Sequence, residues 1–190
     1  MDKKNNFKSA ILIIIVAVLV VTFYFRISNK QEEKTEQTSV SAVQEVLLRD
    51  MDRDYPPSPK EVVKYYAEIT KCFYEGDCSE EELEKLAERA RTMYDEELNA
   101  NKTQEKYFED LKFDINDFAN KSIKVSSYSV SASTDVEYST IDNRDCARLY
   151  CMFNLSKDST MMSSYQEFLL RKDEAGHWKI LGWDLAKDKM

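Results

Sequence analysis

Few residues in this sequence are suited to acid–base or nucleophilic chemistry. His177 is the single histidine, and it lies between Gly176 and Trp178 at a predicted turn. Its imidazole is a candidate general acid or base, with an exposed turn residue as the alternative. The three glycines, which include Gly76 and Gly182, are too scattered to form a phosphate-binding loop or a dinucleotide fingerprint. Enzymes that bind nucleotides through those motifs are therefore excluded.

The four cysteines do not have the spacing of a zinc site. Five residues separate Cys72 from Cys78, four separate Cys146 from Cys151, and no histidine lies nearby. We predict no metal site and no cofactor. Cys72 and Cys78 flank a helix end and the turn at Gly76, which makes them a candidate local disulfide. Buried free thiols are the alternative.

Polar-tipped aromatic side chains recur along the predicted strands in the second half of the chain. Such side chains suit a pocket that binds partly polar molecules. The candidate ligand-binding residues are Tyr128, Tyr150, Met152, Tyr165, Trp183 and Asp184. The alternative is that the aromatic side chains pack helices against a sheet and that Asp184 is a structural acid near a strand end.

The formal net charge of −8 is distributed unevenly. Residues 1–29 contain four basic residues and one acid, a net of +3, which leaves −11 for the rest of the chain. So acidic a surface repels phosphate backbones, and we predict no nucleic-acid binding.

The most informative segment is the run Ala10–Phe25, which has no charged residue, glycine or proline. With its flanking residues it is long enough to cross a bilayer, and no small-residue cleavage site follows it. We predict a short tail and transmembrane anchor at residues 1–27, with residues 7–27 in contact with lipid. A cleaved signal peptide is the alternative. The short tail before the run is basic and is expected to stay on the cytoplasmic side. This predicts a single-pass protein of the cell membrane with its C-terminal domain outside.

The element order beyond the anchor predicts an α+β domain. Residues 28–56 are interpreted as a juxtamembrane linker with a short helix. Apolar residues at helical spacing then predict three helices that begin at Ser58, Ser79 and Thr103, the second continuing through Leu98. After Asn120 the period changes to two, which predicts four antiparallel strands. A slip of phase between Val125 and Tyr128 predicts a β-bulge.

This order resembles the NTF2-like (SnoaL-like) superfamily, in which helices pack on a curved antiparallel sheet that forms a cone. The local resemblance is carried by the predicted final hairpin, Phe168–Arg171 followed by Asp173–Ile180. It implies an NTF2-like domain at residues 57–190, with about three helices and four or more strands. The whole chain also resembles membrane-anchored proteins of low-GC Gram-positive bacteria that carry a domain of unknown function.

The resemblance implies a non-enzymatic, membrane-tethered module outside the cytoplasm that binds a protein partner, an envelope polymer or a small ligand. One alternative is a pocket enzyme of SnoaL-like type that uses Asp184 and Tyr165 as an acid–base pair. A second alternative is an assembly component of a conjugation or secretion complex. An oligomer through the sheet face is a further expectation.

Overall fold

The structure, a computed structural model, describes residues 41–76 and 78–186. The predicted tail and anchor at residues 1–27, and the linker as far as residue 40, lie outside these ranges. Within the described residues, no helix combines the length and the apolar character that a bilayer crossing requires. The anchor, the lipid contact through residues 7–27 and the orientation of the chain stay predictions.

The first half of the described chain is helical. Each helix begins after a residue whose side chain accepts a backbone N–H from the first turn, as good N-caps do. These caps are Ser41, Ser58, Ser79, Asp95 and Thr103. The helices that follow them are α1 (Ala42–Leu47), α2 (Pro59–Glu75), α3 (Glu80–Thr92), α4 (Glu96–Ala100) and α5 (Gln104–Asn120).

The short helix α1 packs with the helices that follow it. Val43 and Val46 are buried in the main hydrophobic cluster. The Arg89 guanidinium on α3 donates hydrogen bonds to the carbonyl oxygens of Arg49 and Leu47, at 2.7 and 3.3 Å. The short helix expected within residues 28–56 therefore shares the core of the helices after it.

The prediction of one helix from Ser79 through Leu98 is wrong, because the chain leaves the helix after Thr92. Met93–Asp95 runs beside the last strand: the Ile180 N–H donates to the Met93 carbonyl at 2.7 Å, and the Asp95 N–H donates to the Ile180 carbonyl at 2.8 Å. Asp95 then caps α4. The segment therefore pairs with the last strand instead of continuing the helix.

The second half of the described chain forms one antiparallel sheet of five strands. The strands are β1 (Ile123–Val130), β2 (Glu137–Ile141), β3 (Arg144–Lys157), β4 (Thr160–Lys172) and β5 (Trp178–Leu185). Their order is β1–β3–β4–β5, and β2 pairs with the first part of β3 while β1 pairs with its second part. Helices grouped before an antiparallel sheet confirm the α+β prediction.

Two irregularities bend the strands. The register of β1 against β3 shifts between Val125 and Ser127, which confirms the predicted bulge. In β5, Leu181 is unpaired because Leu170 pairs with Ile180 and Leu169 with Gly182. This second bulge was not predicted, and it brings Trp183 opposite the buried Phe168.

The helices cover one face of the sheet. Leu149, Cys151 and Phe153 of β3 are buried, as the alternation of apolar residues in that strand predicts. They belong to one cluster with Leu170 of β4 and with the apolar face of α2, which includes Ile69. The core therefore lies between the sheet and the helices.

We call the contact of the segment Met93–Asp95 with β4 and β5 the junction. Asp95 is a buried charged residue of this junction, with 1% of its surface exposed. The Arg171 guanidinium donates to both carboxylate oxygens, with Nε 3.1 Å from Oδ2, and the Glu97 N–H donates to Oδ1 at 3.0 Å. Burial raises the pKa of Asp95, but these hydrogen bonds outweigh it and hold the pKa below its usual range.

No disulfide joins any two of the four cysteines, all of which lie in the described residues. Cys72 faces the core from α2, whereas Cys78 is half-buried, and its Sγ lies 3.3 Å from the Cys72 carbonyl oxygen. Burial raises the pKa of Cys72 to about 11 and that of Cys151 to about 12. A Cys72–Cys78 disulfide stays a prediction for an oxidising compartment.

Replacement of Leu149 tests the inward face of β3. Leu149 is fully buried, so Leu149→Ala should lower the free energy of unfolding of a fragment of residues 40–190 by about 2–5 kcal/mol. The neighbouring Arg148 is exposed, and Arg148→Ala should cost less than about 1 kcal/mol. Urea unfolding measures both variants, and equal costs would contradict the assigned strand face.

Replacement of Asp95 tests the buried ion pair. Asp95→Asn should lower the free energy of unfolding of the same fragment at pH 7 by about 2–4 kcal/mol, because Arg171 loses its buried partner. The native pKa lies below the unfolded value, so this stabilisation is present above about pH 4 and is lost as the pH falls through the native pKa. The difference in free energy of unfolding between the variant and the wild type should therefore become smaller at low pH, as measured by urea titration.

Glu97→Gln is the matched control for Asp95→Asn, because Glu97 also pairs with Arg171 but its side chain is 65% exposed. It should cost less than about 1 kcal/mol. Equal losses in the two variants, or an Asp95→Asn loss that does not depend on pH, would show that the buried carboxylate does not hold the junction.

Thiol labelling tests the placement of the cysteines. A maleimide should react first with Cys78 in the reduced native fragment, because Cys72, Cys146 and Cys151 are buried. Peptide mapping of the first-labelled thiol gives the order. Early labelling of Cys151 would contradict the packing of β3.

Candidate functional site

A pocket of about 450 Å³ lies between the helices and the inner face of the sheet. Side chains of α2, α5, β1 and β3 give it an apolar and aromatic lining: Phe73, Leu111, Phe118, Val125, Phe153 and Leu155. Its volume and its apolar lining are those of a small-molecule site.

Three tyrosine hydroxyls meet in this lining. The Tyr94 hydroxyl lies 3.4 Å from that of Tyr66 and 3.2 Å from that of Tyr107. We call these three residues the tyrosine cluster. The Trp183 ring packs against it, with its centroid 5.3 Å from that of Tyr66 and 5.7 Å from that of Tyr94. The cluster places hydrogen-bonding groups beside the apolar side chains of the lining.

The tyrosine cluster is neutral at physiological pH. Burial is the main cause that raises the pKa of Tyr66, Tyr94 and Tyr107 above the usual value of a phenol. The three hydroxyls can therefore donate and accept hydrogen bonds, but they do not supply a phenolate base.

Arg91 lies at one end of the pocket, with its guanidinium carbon 5.4 Å from the centre of the Tyr107 ring. Its Nε donates to Asn99 Oδ1 at 3.0 Å, and its Nη2 donates to the carbonyl oxygens of Asn99 and Lys102 at 2.9 and 3.0 Å. These neutral oxygens fix the guanidinium at the end of α3.

Two carboxylates of α5 also line the pocket. Asp110 lies 2.6 Å from Lys102 Nζ and 2.7 Å from Lys106 Nζ, so its charge is compensated by two ammonium groups. Asp114 lies near Tyr74, where burial first and the Asp114 carboxylate second raise the pKa of the tyrosine to about 12.

Of the six predicted ligand-binding residues, Trp183 lines this pocket. Tyr128 also faces the helices, but its hydroxyl donates to Glu68 Oε1 on α2 at 3.1 Å, outside the lining. The bulge at Leu181 is the reason that Trp183 reaches the pocket, since it sets the register of β5 from Gly182 onward.

Tyr150, Met152, Tyr165 and Asp184 lie outside the pocket lining. Tyr150 and Met152 alternate with the buried residues of β3, so they project from the outer face of the sheet. Met152 pairs with Tyr165 across β3 and β4, and Asp184 pairs with Glu167 across β4 and β5. The structure brings these residues together with one another, away from the helices.

The acid–base pair considered for an enzyme, Asp184 and Tyr165, therefore does not converge on the pocket. The exposed Asp184 carboxylate accepts the Leu185 N–H at 2.7 Å, and the Tyr165 carbonyl oxygen accepts the Ala186 N–H at 2.9 Å. Polar-tipped residues on these strands mark the outer face, because the inner face of an amphipathic sheet is apolar.

His177 also lies outside the pocket. Its ring stacks on Tyr55 with centroids 4.5 Å apart, and its Nδ1 lies 3.7 Å from Asp173 Oδ2 on the final turn. In the described part of the chain, no three His, Cys, Asp or Glu side chains come together to hold a metal ion.

Sequence reasoning missed the tyrosine cluster and Arg91. In the sequence, Tyr66, Tyr94 and Tyr107 follow the apolar stripes of the predicted helices, as core residues do. The available signal was their hydroxyls, because a buried phenol needs a hydrogen-bonding partner and three phenols that lie close together can supply one another. No local sequence pattern pointed to Arg91, because its hydrogen-bond partners, Asn99 and Lys102, lie in α4 and in the connection after it.

Comparison with known proteins gives one assignment and no function. No curated protein matches the chain significantly. A family model matches residues 1–183, which include both the apolar N-terminal run and almost all of the described fold. The chain therefore belongs to the family described as a domain of unknown function, DUF6715.

Proposed function

We propose that this chain is a membrane-tethered, extracytoplasmic binding module of NTF2-like type that holds a small molecule in the pocket between its helices and sheet. The element order and the bulged antiparallel sheet support the NTF2-like assignment. The final turn contains the motif that carries the resemblance, Asp173–Ile180, with Gly176 at a φ of 83°.

The observation that carries the proposal is the pocket with the tyrosine cluster inside it. A cavity that existed only as imperfect packing would be apolar and would need no hydroxyls. Here the hydroxyls of Tyr66, Tyr94 and Tyr107 lie in the lining beside Trp183. An apolar cavity with a few converging polar groups is the usual form of a specific ligand site.

Binding without chemical transformation fits the electrostatics of the lining. The buried phenols stay neutral because burial raises their pKa. The Asp110 carboxylate is engaged by Lys102 and Lys106. The residues considered as an acid–base pair, Asp184 and Tyr165, lie on the other face of the sheet, outside the lining.

The tether in this proposal is the apolar run Ala10–Phe25. Its length and the basic residues before it favour an uncleaved anchor with the acidic module outside the membrane. At the membrane surface the pocket would meet amphipathic small molecules at a raised local concentration.

The two tryptophans give a site-specific test of binding. Trp183 lines the pocket, whereas Trp178 is buried outside the lining, against Tyr138. The full-length chain, labelled with 5-fluorotryptophan and held in a phosphatidylcholine nanodisc, is titrated with 2-naphthamide and followed by fluorine NMR. The Trp183 resonance should shift saturably, and the Trp178 resonance should not.

Serines at adjacent positions of β4 provide matched controls. Ser164 lines the pocket and Ser163 occupies the opposite strand face, where it donates to Asn154 Oδ1. Ser164→Phe should abolish the shift by filling the cavity, and Ser163→Phe should leave it unchanged. A Trp183 resonance that does not respond, or a response that survives Ser164→Phe, would contradict a binding pocket.

A further inference from the structure

Arg91 is a cation of the pocket lining whose described hydrogen-bond partners are all uncharged. They are the side-chain oxygen of Asn99 and the carbonyl oxygens of Asn99 and Lys102. Arg91 forms no ion pair with any described residue, whereas Arg171 and Arg144 nearby both pair with carboxylates. The positive charge at this end of the pocket is therefore oriented but not neutralised.

The hydrogen bonds of Arg91 to described residues use two of its three guanidinium nitrogens. Nε and Nη2 tie α3 to α4 and to the connection that follows α4, which is a structural role. Nη1 makes no hydrogen bond to a described residue, and a guanidinium offers two N–H donors at that atom. A donor held in place beforehand binds an anion with little loss of side-chain entropy.

The other charges around the pocket do not cancel Arg91. Asp110 is already engaged by the ammonium groups of Lys102 and Lys106. Asp114 is close enough to Tyr74 to raise its pKa, whereas Arg91 lies over the ring of Tyr107. The Arg91 end of the pocket is therefore electropositive although the molecule as a whole carries a charge of −8.

From this arrangement we infer that the pocket selects molecules with an apolar, aromatic-sized body and one anionic group, such as a carboxylate, which docks on Nη1 of Arg91. The inference rests on the proposed binding function and specifies its ligand class. The body lies against Trp183 and the tyrosine cluster, and the anion accepts a charge-assisted hydrogen bond from the guanidinium. That bond is strengthened because the pocket is partly removed from water.

Three probes share a naphthalene ring and differ in charge, so that comparing them separates the effect of charge on affinity from the effect of shape. The fluorine-labelled full-length chain in the nanodisc is titrated with 2-naphthoate, 2-naphthamide and 2-naphthylmethylammonium, and the Trp183 shift gives each affinity. The chain should bind the naphthoate at least about tenfold more tightly than the amide, as expected for one charge-assisted hydrogen bond. The ammonium probe should bind more weakly than either.

Substitution of Arg91 assigns the preference to one side chain. Arg91→Gln should remove the preference, so that the naphthoate binds with about the same affinity as the amide, and Arg91→Lys should retain part of the preference. Arg148→Gln is the matched control, because Arg148 pairs with Glu137 and Glu167 away from the pocket. It should change neither affinity.

The possible results separate this inference from the proposed function. Equal affinities of wild type for naphthoate and amide, or tighter binding of the ammonium probe, would overturn the anionic ligand class while binding itself stands. A preference for naphthoate that survives Arg91→Gln would overturn the assignment of that preference to Arg91. A Trp183 resonance that responds to none of the three probes would overturn both. The wild-type comparison of the three probes decides the ligand class even where Arg91→Gln prevents folding.

Discussion

One buried carboxylate determines how the helices meet the sheet. Asp95 ends the extended segment that follows α3, caps α4 and accepts hydrogen bonds from Arg171 of β4. Its backbone N–H pairs with Ile180 of β5. A carboxylate that is 1% exposed is stable only with such compensation, so the carboxylate and the guanidinium constrain each other. The chain direction on both sides of Asp95 follows from this constraint.

The pocket is a consequence of that junction. The residue before Asp95 is Tyr94, which places its hydroxyl between those of Tyr66 and Tyr107. Arg91, one turn earlier, is held at the end of α3 by oxygens of the chain that continues from α4. The contribution of β5 to the lining depends on a separate feature, the bulge in β5 that turns Trp183 toward the helices.

The sequence predicts most of the elements because their signals are local. Serine and threonine caps mark helix starts, and the alternation along β3 correctly assigns Leu149 and Phe153 to the core. The break after Thr92 was missed because Asp95 stands in an acidic run that is typical of a solvated helix face, and its partner Arg171 is distant in sequence. Most of the candidate site was missed for a related reason. Polar-tipped strand residues such as Tyr150 indicate an outer face, and the pocket hydroxyls come from tyrosines that look like core positions on helices.

The fold and the pocket depend most on the pairing of the extended segment Met93–Asp95 with β5. Amide hydrogen exchange of the full-length chain, followed residue by residue, measures this directly. The N–H groups of Asp95 and Ile180 should exchange as slowly as that of the core residue Leu149, because all three open only when the fold opens. Rapid exchange at Asp95 and Ile180, with Leu149 still protected, would contradict the junction and with it the geometry of the pocket.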